Sequence, residues 1–390
     1  MESYAKNKQL HIDKEALYSL ALVQEGLLYP TKGLANKQIF QTMKDSDTYF
    51  SSPFVLNPSG KRNQEVIQSA QTNQILDIVV ENHIVGYIQV EEVFTINKQD
   101  RIKQLGGGTT QTQAIQKIQN RLGEYAIYGQ YKVKCDDVKK PKQNLQDKIK
   151  QYQAKKITAI ILDGSVFHRA YEKLIRDELE SSDLVVIFLL KPYTDTIIDY
   201  ELRRKCLDFA LEHFLINERV CIIPLDATYL FMSQNKILLH AIIAKNYGCT
   251  HFVANEAQPN LSMFYHKNIP HSILDEIKGI QTKIKPNYAY CNVCKMLINN
   301  ITCSHGHHHQ INYNTESILE FYQLGLLPPA ILVRPEISAI ILSSLYPNRF
   351  SNLQKLYYDL VPLNDGILTQ KNEQDFYIEL MRLYQTSALT

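Results

Sequence analysis

ITAIIL (157–162), DGSVFH (163–168), RAYEKLIRDELESSD (169–183) and LVVIFLLKP (184–192) follow one another through the middle of the chain. Two apolar runs rich in β-branched residues flank a short Asp-Gly-Ser turn and a segment with helical spacing. That is the pattern of a strand, a turn, a helix and a second strand. In a parallel sheet such a turn lies at the carboxyl end of its strand, where open α/β folds place their ligands. The turn also opens a helix, with Ser165 a candidate N-cap and His168 in or near the first turn, and helix N-termini favour anions. The stretch therefore predicts an α/β domain with a nucleotide-type site at this turn.

Further strands and helices alternate downstream. A helix is expected over 200–215, a short strand at VCIIPL (220–225), a helix over 236–247 ended by Gly248, and a strand at HFVA (251–254). This alternation predicts a parallel, right-handed α/β domain. His240 and His251 lie inside apolar elements and read as core residues. Upstream, 1–150 is β-rich, with helical pieces near 14–28 and 37–43. A hairpin is expected from ILDIVV (75–80) and IVGYIQVEEVF (84–94) around a turn at 81–83, and a second strand pair around EYAIYGQYKVK (124–134). Gly106, Gly107 and Gly108 lack a following Gly-Lys-Ser/Thr and read as a turn rather than a phosphate loop. Between Lys132 and Lys156 a lysine-rich stretch with Pro141 as a breaker reads as a linker and then a solvated helix.

With 390 residues and 45% hydrophobic content, the chain can bury a core and divide into two or three domains. Its net charge is +2, which offers no bulk attraction for nucleic acid or an anionic membrane, and the lysine-rich stretch lacks an aromatic stacking set. No apolar run approaches the ~20 residues of a membrane span, so the expected address is the cytoplasm. Three of the seven cysteines fall together in YCNVCKMLINNITCSHGHHHQI (290–311). Cys291, Cys294, Cys303 and His307 form C-x2-C-x8-C-x3-H, a donor set suited to a structural, tetrahedral zinc ion. His305, His308 and His309 compete for the fourth position. A helix near 316–324 stopped by Gly325, a second entered through Pro335, and an amphipathic helix at DFYIELMRLYQ (375–385) complete the chain.

The order of several segments resembles the ATP sulfurylase (sulfate adenylyltransferase) family from near Leu22 to about Leu342. They are QEGLLYPTKGL, SPFVLNPSGKR, GYIQVEEVF, GEYAIYGQYKV, HRAYE, LLHAIIAKNYGCTHF, the cysteine-histidine set and GLLPP followed by RPEISAIIL. The resemblance implies a PUA-like β-barrel domain with a basic linker (1–150), a nucleotidyltransferase, Rossmann-like parallel α/β domain (151–285) and a zinc-bearing region (286–350); a helical tail (351–390) lies outside it. It also implies the reaction of ATP with sulfate to give adenylyl sulfate and pyrophosphate, and assembly into a homo-oligomer.

The same comparison exposes losses. Family members carry Gln-Thr-Arg-Asn-Pro-x-His at the turn, and a second histidine three residues on. Here the turn is Leu162 to His168, with Tyr171 at the second histidine position. Only His168 remains. The Gly-Arg-Asp-His element reads Asn255, Glu256, Ala257 and Gln258. In all, four expected arginines read Gly164, Leu230, Glu256 and Leu319, while Asp163 adds a carboxylate. A unit charge at ~4 Å is worth about 4 kcal/mol at an effective dielectric of ~20, so these exchanges oppose triphosphate binding. The sequence reading is a sulfate adenylyltransferase homologue, impaired or inactive, that serves as a binding or regulatory homologue for a nucleotide or sulfate-like small molecule. The alternative is an active adenylyltransferase with a rearranged site, in which Mg2+ supplies the missing positive charge, or with an altered substrate. His168 is its candidate catalytic residue, and Ser165, His168 and Asn255 are its candidate nucleotide contacts.

Overall fold

The computed structural model describes residues 7–42, 53–105, 113–162, 166–191, 197–226, 229–231, 235–256, 258, 261, 264–266, 269–361 and 372–385. The glycines 106–108 and the turn residues 163–165 lie outside this set.

The first part of the chain comprises β1 (Lys8–His11), α1 (Lys14–Gln24), α2 (Lys37–Thr42), β2 (Leu56–Pro58), α3 (Lys61–Gln68), β3 (Ile75–Val80), β4 (His83–Thr95), α4 (Lys98–Leu105), α5 (Gln113–Gln119), β5 (Leu122–Val133) and α6 (Asp136–Gln151). Five strands form one sheet in the order β1-β3-β4-β5-β2, with β1 parallel to β3 and the other pairs antiparallel. The expected hairpin is β3-β4. Its turn residues Glu81 and Asn82 both have positive φ, 47° and 67°, which matches the twist of the flanking strands.

Two expectations for this region differ from the structure. The residues around EYAIYGQYKVK form one long strand, β5, rather than a strand pair. Gly129 does not turn the chain; it sits where a Cβ would strike the backbone of Gln89 on β4, so its smallness permits strand approach. Pro141 does not break the chain either, and α6 runs through it. The proline forgoes one amide bond to the preceding turn, while Val138 and Leu145 bury their side chains and Lys142 Nζ donates to Glu25 O at 2.7 Å.

Downstream come β6 (Ile157–Leu162), α7 (Arg169–Ser181), β7 (Leu184–Leu190), α8 (Tyr200–Phe214), β8 (Val220–Leu225), α9 (Lys236–Tyr247), β9 (His251–Asn255), β10 (Phe264–His266), β11 (Ile269–His271) and β12 (Gln281–Lys285). A five-stranded sheet has the order β12-β9-β6-β7-β8. Thr250 N donates to Ile157 O and Gln281 N to Thr250 O, so β6, β9 and β12 begin side by side and run parallel. β6 is buried throughout and β7 nearly so, as expected of central strands covered on both faces. Chain order reverses between β6 and β9, which makes their carboxyl ends the switch point of a doubly wound sheet.

The last part holds β13 (Ala289–Cys291), β14 (Met296–Ile298), β15 (Gln310–Asn312), α10 (Thr315–Gln323), α11 (Pro335–Leu345), α12 (Leu353–Leu360) and α13 (Glu373–Gln385). The three strands form a small antiparallel sheet, β14-β13-β15.

By contact the chain separates into two compact units. One is Met1–Ala159 with Ile222–Val253 and Gln258–Lys283; the other is Ile160–Cys221 with Ala254–Ala257 and Ile284–Thr390. In the first, α1 packs on β5 and α6, and α3 on β1 and β5. In the second, α11 packs on α8 and α13, burying Leu207, Leu211, Ile337 and Ile341. Among the described residues, no helix is long and apolar enough to cross a membrane.

Candidate functional site

The switch point places the residues that follow β6 and β9 in the second unit. His168 is the N-cap of α7, which begins at Arg169; the cap expected at Ser165 lies outside the described residues. The helix starts late because His168 is extended (φ −119°, ψ 170°) and its ring nitrogen Nδ1 accepts from Tyr171 N at 3.4 Å. The ring stacks on Tyr171 with centroids 4.1 Å apart and tilts against Tyr313 at 5.2 Å. Tyr313 is fixed by its hydroxyl, which donates to Ile331 O at 2.7 Å. His168 is 6% exposed, and burial pushes its pKa down to about 3. At neutral pH it is therefore an uncharged imidazole held in an aromatic stack.

Arg169 and Tyr171, in the first turn of α7, spend their backbone donors on the chain itself. Arg169 N donates to Leu332 O at 2.9 Å, and Tyr171 N also reaches His168 O at 3.0 Å. Nearby arginines are committed as well. Arg169 Nε donates to Ala330 O at 3.0 Å. Arg334 grips Glu172 through two bonds of 2.7 Å and lies over the Phe214 ring at 3.9 Å. Arg176 adds a bond of 2.9 Å to the same carboxylate. Burial alone would raise the Glu172 carboxyl, but the bonds from Arg334 and Arg176 hold it below the usual glutamate range. Tyr313 and Arg334 were not singled out as partners of this turn in the sequence. The available signal was RPEIS, where a charged residue precedes a helix-opening proline.

At the end of β9, Asn255 is half-buried. Glu256 uses its carboxylate to accept from Asn287 N at 3.0 Å, and its own N–H donates to Lys285 O at 2.9 Å. Glu256 thus ties the turn after β9 to the chain after β12. Leu319 is half-buried on α10 in this unit, while Leu230 is fully buried in the other.

The cysteine-histidine segment forms a compact donor set in which His305 stands beside the sulfurs. Cys291, Cys294, Cys303 and His305 keep their ligand atoms within 4.8 Å of one another. His305 Nδ1 is 3.6, 3.2 and 3.3 Å from the three sulfurs in that order, and the Sγ atoms of Cys294 and Cys303 are 3.7 Å apart. Tetrahedral zinc with Zn–S of about 2.3 Å and Zn–N of about 2.0 Å requires sulfur-sulfur edges of ~3.8 Å and sulfur-nitrogen edges of ~3.5 Å. The set fits such an ion. His307, the expected fourth ligand, is exposed and pairs its Nδ1 with Gln310 Oε1 at 3.2 Å. The short helical turn 307–309 carries it away from the sulfurs, whereas His305 is two residues from Cys303 and faces them. Cys294 N donates to Cys291 Sγ at 3.4 Å and draws that thiol down to about 7.

The ATP-sulfurylase family model matches residues 136–344, more than half of the chain. A sulfate adenylyltransferase of Carboxydothermus hydrogenoformans is 24% identical over 352 residues, spanning 85% of this chain and 91% of the relative. One from Synechococcus sp. (strain JA-3-3Ab) is 22% identical over 351 residues, spanning 85% and 88%. Among solved structures, a hexameric APS kinase from Thiobacillus denitrificans superimposes with a TM-score of 0.61 at 14% identity, over 86% of this chain and 62% of that one. The likeness thus spans under two thirds of that longer chain and supports the fold.

Proposed function

Because the chain belongs to the ATP-sulfurylase family, we propose that it is a sulfate adenylyltransferase homologue in which adenylyl transfer is impaired or lost, and that it acts as a binding or regulatory homologue. The observation that carries this reading is the N-terminus of α7. Sulfate is a poor nucleophile, and the family reaction relies on cations and free donors to hold two anions in line and stabilise the leaving pyrophosphate. Here His168 is uncharged, Arg169 N and Tyr171 N are occupied by the chain, and the neighbouring arginines are bound to carbonyl or carboxylate groups. Supplying an anion site would require breaking those contacts. The ligand class remains a nucleotide or sulfate-like small molecule, since the strand order keeps the switch-point geometry suited to one.

The test is direct. Purified protein with ATP, Mg2+ and sulfate should release pyrophosphate at the rate of a protein-free control. Sustained sulfate-dependent release that His168→Ala abolishes would overturn the reading in favour of an active, rearranged site.

Two structural parts belong to the same proposal. Cys291, Cys294, Cys303 and His305 would hold a structural zinc ion, closing a segment whose small sheet has little core of its own. The sheet β1-β3-β4-β5-β2, mostly antiparallel, is the counterpart of the PUA-like barrel, followed by the α/β domain, the zinc-bearing region and the tail with the boundaries set out above. The hexamer named for the Thiobacillus denitrificans relative makes a homo-oligomer the assembly to test by sedimentation.

A further inference from the structure

Two histidines, His305 and His307, flank Gly306, and His305 joins the donor set of Cys291, Cys294 and Cys303 while His307 stays outside it. The side chain that touches both is Gln310. It opens β15, directly opposite Cys291 of β13 in the antiparallel ladder. Residues opposed in this way project from the same face of a sheet, so the half-buried Gln310 side chain shares a face with the Cys291 thiol. Its primary amide makes two contacts. Nε2 donates to His305 O at 3.3 Å, and Oε1 lies 3.2 Å from His307 Nδ1.

The chemistry of these groups fixes where the protons lie. The carbonyl of His305 only accepts, so the NH2 of Gln310 faces it and Oε1 is left for His307. An amide oxygen also only accepts, so His307 carries a proton on Nδ1 and donates it to that bond. His305 has the opposite need. Its Nδ1 is the atom beside the three sulfurs, at 3.2 to 3.6 Å, and a ring nitrogen that ligates a metal must present its lone pair. The proton of a ligating His305 therefore sits on Nε2. One amide thus steadies the His305 main chain and holds the exposed His307 ring by the nitrogen that corresponds to the ligand atom of His305. The turn between them is fastened as well. His309 N donates to Gly306 O at 3.0 Å, and Asn292 N, next to Cys291, donates to His309 O at 2.8 Å.

We propose that Gln310 is a positioning residue that selects His305 over His307 as the fourth ligand. This inference rests on the zinc reading above and adds to it the side chain that makes the choice. Gln310→Leu keeps much of the volume and loses both contacts, so His307 is free to turn about Gly306 and compete for the metal. Gln310→Glu keeps an acceptor for His307 and gives up the donor to His305 O.

The experiment measures the zinc affinity of the full chain by competition with a chromophoric chelator, and reads the ring nitrogens by 15N-histidine NMR. The wild type should show His307 protonated on Nδ1 and His305 on Nε2. Gln310→Leu alone should bind zinc about tenfold more weakly, as expected for loss of an outer-shell partner. The decisive comparison is made in the His305→Ala background. There Gln310→Leu should strengthen zinc binding by about tenfold, because His307 takes the vacant position, and Gln310→Glu should not. A merely structural role for Gln310 predicts the reverse, with both double variants weaker than His305→Ala. Binding by Gln310→Leu/His305→Ala that is no tighter than by His305→Ala overturns the selection while leaving the zinc site in place. Equal recovery with Gln310→Glu overturns it too, as does a wild-type His307 without a proton on Nδ1. A wild-type chain that binds no zinc overturns the zinc reading itself, and this inference with it.

Discussion

Replacing His168 by asparagine should change how stability depends on pH in a way that reports the charge state of the candidate site. Asparagine keeps an N-cap acceptor for α7 and cannot be protonated. In the folded protein, burial lowers the His168 pKa to about 3, whereas the unfolded chain has the ordinary value of 6.5. The unfolded state therefore binds a proton first as pH falls. The stability contributed by neutral His168 is complete above pH ~6.5 and is lost between that value and pH ~3. Each pH unit inside the window costs about 1.4 kcal/mol, so the loss at pH ~5 is roughly 2 kcal/mol relative to pH ~8. His240, lowered to about 4, contributes a similar slope, but it is present in both proteins and cancels in the difference. At pH ~8 the variant should be less stable by roughly 1–3 kcal/mol, having lost the ring contacts with Tyr171 and Tyr313. The deficit should shrink by about 2 kcal/mol at pH ~5. Urea unfolding of both proteins at the two pH values measures it. A deficit that is the same at both, or that grows in acid, would mean that His168 is protonated in the fold and that a cation faces the turn after all.

The remaining predictions concern the supports of the same unit and of its neighbour. Metal analysis of proteins purified without chelator should give one zinc per chain. His305→Ala should lose most of it and His307→Ala should keep it, the reverse outcome restoring the spacing first read from the sequence. Glu172→Gln leaves Arg334 and Arg176 facing a neutral partner whose side chain is 7% exposed; a loss of roughly 3 kcal/mol is expected by chemical denaturation, and a loss under ~1 kcal/mol would mean the cluster is screened. In the first unit, Gly248 ends α9 at φ 101°, and Gly248→Ala should cost about 1 kcal/mol there without altering metal content.

Much of the fold was legible because its signals are local. The apolar runs of β6 and β7, the glycine ending α9 and the proline opening α11 each fix an element by their own chemistry. What was not legible depended on residues distant in the chain. Pro141 looked like a breaker because its neighbours give no hint that Glu25 and α1 hold α6 from the side. The stretch 124–134 reads as a strand pair by its composition alone, and only its pairing along β4 shows one long strand, β5. At the candidate site, the spacing picks out the three cysteines that cluster with His305. It could not choose among five residues rich in histidine, since the choice turns on a single helical turn after Gly306.

On the proposed reading, the fold at the switch point outlasts its chemistry. A helix N-terminus binds an anion only while its first donors are free and its surroundings are cationic. In this chain each requirement is met by something else. His168 supplies the acceptor for Tyr171 N, and the carbonyl of Leu332 takes Arg169 N. Glu172 draws in Arg334 and Arg176, so the positive charge near α7 is balanced from within. The substitution of Glu256 for an expected arginine follows the same logic, because its carboxylate now accepts a main-chain bond from Asn287. These contacts stabilise the protein in the absence of ligand, and any anion entering the turn must compete with them. Restoring one arginine at position 256 would therefore remove a structural bond as well as add a charge, so a single-site reversion should not recover turnover.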